Sequence, residues 1–142
     1  MRFWDSSALI PLLVREPRTR RAERWLREDP AVIVWMLTRV ELCSALARRR
    51  RAEPLAAPRL AAARRDLFSA WEQWTEVTAA EVVRRHAERL IETHPLRAAD
   101  VLQLAAALVA AEELPAGLTF VTLDRQQAEA AEREGFSVLG PD

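Results

Sequence analysis

The stretch LTFVTLDRQQAEAA, residues 118–131, is apolar and β-rich for six residues and then, at Asp124, becomes a polar segment with alanines at helical spacing. A strand handing over to a helix through an acidic residue is the unit from which the rest of the chain can be read. The same change occurs in MRFWDSSALI, residues 1–10, with Asp5 at the joint, and in VIVWMLTRVELCSAL, residues 32–46, with Glu41 one helical turn further on. Five strand candidates emerge: Met1–Trp4, Val32–Met36, Trp74–Thr78, Leu118–Leu123 and Phe136–Leu139. Longer helical patterns separate them. Alternation of this kind implies βαβ units, and right-handed crossovers then give a three-layer α/β/α fold with a mainly parallel central sheet of four to five strands. Ligands in such sheets collect beyond the carboxyl ends of the strands.

The 142 residues fit one domain spanning 1–142, with no repeat, linker or low-complexity tail. Basic and acidic residues number 21 each, so any footprint for a polyanion must be local. Every basic residue is Arg, which together with heavy Ala use is the mark of a GC-rich genome. The absence of Lys excludes lysine chemistry and leaves forked guanidiniums as the only strong phosphate binders. Cys43 is alone in an apolar stretch, which rules out disulfides and thiolate clusters and reads as core filler. The N-terminal apolar run is broken by Pro11 and has no cleavage site behind it, and no segment approaches the ~20 apolar residues of a membrane span. The expectation is a soluble, cytoplasmic protein that does not associate with membrane.

Four carboxylates stand at or near the carboxyl edge. Asp5 and Asp124 follow strands and also suit helix N-caps. Thr38 to Glu41 has the spacing of a capping box, as does Thr78 to Glu81. Asp100 lies in LRAADVLQLAAAL, residues 96–108, apolar on nearly every side. With Pro95 read as the first helical position, Asp100 falls about a turn and a half inside the helix, beyond the free amides. Arg97 at i,i+3 offers only ~0.2–0.5 kcal/mol. An unpaired buried carboxylate costs several kcal/mol, so a positive group is expected nearby. Acidic groups crowded at one edge repel, and a hard dication, Mg²⁺ or Mn²⁺, turns that repulsion into binding. His86 and His94 read as surface or turn residues away from this edge.

These segments together resemble a PIN domain, and specifically a VapC-type ribonuclease toxin of bacterial toxin–antitoxin pairs. Asp5-Ser6-Ser7-Ala8-Leu9 resembles the opening motif, Val40-Glu41-Leu42 the second acidic position, Leu96 to Ala105 the third, and Phe120-Val121-Thr122-Leu123-Asp124 the closing Thr-x-Asp stretch. Gln103 stands where a histidine is common. The resemblance implies that Asp5 and Asp100 ligate Mg²⁺ or Mn²⁺ directly and that Glu41 and Asp124 bind directly or through water. Ser7 either hydrogen-bonds within the site or caps the first helix. The implied reaction is hydrolysis of an RNA phosphodiester. The implied partners are a cognate antitoxin and a second copy of the chain in a homodimer; the segments Glu16–Glu28 and Pro54–Trp74 offer apolar area either for such contacts or for the domain's own core.

An acidic pocket needs basic residues at its rim to hold RNA. Arg48 and Arg49, in the four-arginine run that ends the Glu41 helix, are the candidates, beside a second cluster of Arg18, Arg20, Arg21 and Arg24. The run equally suits a helix C-terminus and a soluble surface. The five tryptophans read as core. The competing function is a catalytically silent PIN-like module that binds RNA or a protein. A receiver domain fails for want of a lysine, and an Asp-x-Asp phosphatase fails because Ser7 occupies the second acidic position.

Overall fold

A computed structural model describes residues 1–142. The elements in chain order are β1 (Arg2–Trp4), α1 (Ser6–Leu13), α2 (Thr19–Glu28), β2 (Val32–Trp35), α3 (Thr38–Ala52), α4 (Ala57–Trp71), β3 (Thr75–Val77), α5 (Ala80–Thr93), α6 (Ala98–Ala110), β4 (Thr119–Val121), α7 (Arg125–Arg133) and β5 (Ser137–Leu139). All five expected strands form, each somewhat shorter than its apolar run. The sheet is parallel throughout, in the order β3-β2-β1-β4-β5.

The strands bury both faces, as a parallel sheet between helical layers must. In β2, Val32 and Val34 face one core and Ile33 and Trp35 the other. Phe3 and Phe120 stack at 5.5 Å on the face covered by α5, α6 and α7, where Leu90, Leu104 and Ala131 are fully buried. Trp4 and Val121 point to the opposite face, among Leu9, Trp25, Leu42 and Trp71 from α1 to α4. Trp4, Trp25, Trp35 and Trp71 are core residues, as expected, and Trp74 packs on Trp71 at the margin. Cys43 is half-buried against the same core.

From β1 the chain steps outward to β2 and β3, then returns to the other side of β1 for β4 and β5. The order therefore reverses between β1 and β4. The crevice outside the carboxyl ends of those two strands is where a ligand site belongs in this topology. No helix is long and apolar enough to cross a membrane.

Several local expectations are corrected. Pro11, which breaks the apolar run in the sequence, does not interrupt the helix and lies buried within α1. The helix of Asp100 starts at Ala98 with Arg97 as its cap, not at Pro95, because the chain first turns to bury Leu96 between α5 and α6. Neither capping box forms: the caps of α3 and α5 are Leu37 and Ala79, without side-chain bonds. His94 is buried, not a surface residue, and holds Glu134 at 2.7 Å.

Candidate active site

Asp5 leaves the end of β1 and caps α1, its Oδ2 accepting from the Ser7 amide. The same oxygen accepts from Ser7 Oγ at 2.5 Å and from Thr122 Oγ1 at 2.9 Å. Ser7 Oγ in turn accepts from the Leu123 amide at 2.8 Å, and Thr122 Oγ1 from the Asp124 amide at 3.1 Å. Two hydroxyls thus lock the loops after β1 and β4 together through one carboxylate oxygen, leaving Asp5 Oδ1 without a hydrogen bond. Ser7 works within the site, while the cap of α1 is Asp5. Asp124 caps α7 through Oδ1, which accepts from the Gln127 amide at 2.8 Å. Both aspartates cap helices, and the amide ends of α1 and α7 open onto the same edge, where the two carboxylates line one hollow.

Glu41 does not bond back to its own helix terminus. Its Oε2 accepts from Ser6 Oγ at 3.0 Å and its Oε1 from Gln103 Nε2 at 3.0 Å, so α1 and α6 hold it from two sides. Gln103 is fully buried and also donates to Thr38 Oγ1 at 2.8 Å. Asp100 lies in the first turn of α6, where free amides favour a carboxylate, so its depth no longer demands a counter-charge by itself. Its backbone carbonyl accepts from the buried Gln127 Nε2 at 3.0 Å.

The four carboxylates line one hollow of about 350 Å³, together with Ser6, Ser7 and Arg48. None of them takes part in a salt bridge. Burial pushes Asp5 above the usual carboxylate range despite its hydroxyl donors, and Asp100 adds to the rise. Burial raises Glu41 to about 7, with Asp5 and Asp100 pushing the same way. Asp100 is raised by burial and then by Asp124. The hollow is short of positive charge.

Its donor set is all oxygen, which suits a hard cation. No three His, Cys, Asp or Glu side chains converge to hold an ion. Carboxylate oxygens are the donors that Mg²⁺ takes, one or two at a time beside waters and substrate oxygens, whereas Zn²⁺ favours nitrogen and sulfur. Arg48 is on the lining, whereas Arg49 turns aside to Glu16 at 2.9 Å. Ser6, Thr122 and Gln127 escaped the sequence reading as site residues. Ser6 and Thr122 adjoin the acidic positions, but only their distant partners reveal their roles.

A family model described as PIN domain matches residues 2–133. Over 136 residues, covering 96% of this chain and 92% of the relative, the sequence is 31% identical to Ribonuclease VapC45 of Mycobacterium tuberculosis (strain CDC 1551 / Oshkosh). Two solved structures share the fold. PAE2754 from Pyrobaculum aerophilum has a TM-score of 0.63 at 22% identity, over 97% of this chain and 87% of that one. FitAcB from Neisseria gonorrhoeae has a TM-score of 0.59 at 18% identity, over 98% and 96% respectively.

Proposed function

The chain belongs to the PIN-domain family, and from that premise we propose that it is a Mg²⁺- or Mn²⁺-dependent endoribonuclease, the toxin of a toxin–antitoxin pair. One observation carries the reading: four carboxylates without salt bridges, delivered by four separate segments, line one hollow at the point where the strand order reverses. Similarity to a ribonuclease over nearly the whole chain supports the choice of RNA.

Asp5 and Asp100 would hold the ion, with Glu41 and Asp124 meeting it directly or through water. When bound, the ion would make a water easier to deprotonate into an attacking nucleophile and would set positive charge against the phosphate oxygens. The rest falls to the chain's own side chains. Ser7 and Thr122 occupy Asp5 Oδ2 and so fix the direction of the free Oδ1. Ser6 and Gln103 hold Glu41 across the hollow and keep its carboxylate from swinging back to the start of α3. Arg48 meets an incoming phosphate at the rim. The chain acts as one domain in the cytoplasm, as a homodimer, and a cognate antitoxin blocks the groove.

The test compares cleavage of RNA in Mg²⁺ or Mn²⁺ by the wild type and by Asp100→Asn. Loss of cleavage in a folded variant is expected. Equal cleavage by both rejects the reading.

A further inference from the structure

A second hollow, of about 240 Å³, adjoins the acidic one and shares Ser7, Ile10, Ala45 and Arg48 with it; Glu16, Arg18 and Arg49 complete its wall. Glu16 is fixed where the chain passes from α1 to α2. Its amide donates to Thr19 Oγ1 at 2.9 Å, and that hydroxyl, which is buried, donates to the Pro11 carbonyl at 2.7 Å. The Glu16 carboxylate then gathers two guanidiniums: Oε2 accepts from Arg49 Nη2 at 2.9 Å, and Oε1 lies 3.6 Å from Arg18 Nε. Arg18 Nη1 reaches the Leu123 carbonyl at 3.3 Å, immediately before Asp124. Each guanidinium keeps further N–H donors free, and both side chains remain solvent-accessible. Arg48, exposed and in no salt bridge, stands between the two hollows.

Taking the nuclease reading as its basis, we propose that this second hollow is a phosphate-binding subsite for the RNA strand beside the cleaved bond, with Arg18 and Arg49 as its donors and Glu16 as the residue that positions them. A strand laid over the acidic hollow crosses the shared floor of Ile10 and Ala45 and brings a neighbouring phosphate to the arginines. Forked guanidiniums held by a carboxylate lose little freedom on meeting a phosphate, the condition for a strong charge-assisted bond. Mere charge balance and positioning make opposite predictions for Glu16. If Glu16 only neutralises, removing its charge tightens RNA binding; if it positions, the same change weakens binding.

The experiment measures cleavage of a short single-stranded RNA against hydrolysis of bis(p-nitrophenyl) phosphate, a diester too small to span both hollows. The proteins are the wild type, Arg18→Ala, Arg49→Ala, Arg49→Lys and Glu16→Gln. Fluorescence anisotropy of labelled RNA, with each change placed in an Asp100→Asn background, reports affinity without cleavage. For Arg49→Ala the ratio of RNA to diester efficiency falls by roughly tenfold, through KM. The slope of log affinity against log salt shrinks by about 0.7. Glu16→Gln weakens RNA binding several-fold although it makes the surface more positive, and Arg49→Lys recovers only part of the loss. Wild-type RNA affinity in both alanine variants, or tighter RNA binding by Glu16→Gln, overturns the proposal. So does a loss confined to binding of a protein partner. Failure of the nuclease reading looks different: the wild type hydrolyses neither substrate, and anisotropy, which needs no cleavage, still decides the subsite.

Discussion

Replacing Glu41 by Gln is expected to stabilise the fold while removing a site carboxylate. Burial, with Asp5 and Asp100 adding to it, raises Glu41 from 4.5 to about 7. Between those values the folded chain binds a proton that the unfolded chain has released. The stability tied to this proton is therefore complete below about pH 4.5 and is lost as pH rises through about 7. At about 1.36 kcal/mol per pH unit the whole rise corresponds to roughly 3 kcal/mol. The side chain is only half-buried, so screening by water lowers the expected gain to about 1–2 kcal/mol. Gln is neutral at every pH, keeps an acceptor for Gln103 and can donate to Ser6, so the hydrogen bonds to both neighbours survive. Thermal melts at pH 8.5 without divalent ions should place Glu41→Gln roughly 3–8 °C above the wild type. By pH 4.5 the gap should close. Millimolar Mn²⁺ should raise the wild type more than the variant, because only a ligand-competent native state is stabilised by mass action. A variant that melts no higher than the wild type at pH 8.5 refutes the claim that this carboxylate is held against its electrostatic preference.

Three other outcomes are expected. Gln103→Ala removes the donor to both Glu41 and Thr38; urea unfolding should show a loss of about 2–3 kcal/mol, and RNA cleavage should fall through kcat, since Glu41 is no longer tethered to α6. Thr122→Val deletes the buried hydroxyl that joins Asp5 to the Asp124 amide; it should cost about 1–3 kcal/mol by urea unfolding and lower the affinity for Mn²⁺ measured by calorimetry. Chelation by EDTA should abolish RNA cleavage, which Mg²⁺ or Mn²⁺ restores. In Asp100→Asn neither ion restores it, and a wild type that cleaves equally well in EDTA contradicts the metal reading.

Much of the architecture was legible in local pattern. The five strands lie where the apolar runs place them, because a parallel strand covered on both faces is a short apolar segment whatever its neighbours. Asp5 and Asp124 were legible too, standing where a strand ends and a helix begins. The start of α6 was misread because Pro95 suits a first helical position, whereas the burial of Leu96 delays the helix to Ala98 and moves Asp100 into the first turn. Glu41 was ambiguous for a similar reason: capping-box spacing and site position share one sequence signature. The bonds from Ser6 and Gln103 exclude the capping box.

The sequence by itself determined the alternation of strands and helices, the placing of acidic residues near strand ends, and the exclusion of lysine and disulfide chemistry. Those properties depend on each residue and its near neighbours. Only the tertiary structure decided the sheet order that puts β4 beside β1, the joining of Asp5 to Thr122 across 117 positions, and the Gln103 tether to Glu41 across 62. Such contacts depend on which buried polar groups find partners once both faces of the sheet are covered, and no periodicity along the chain encodes that choice.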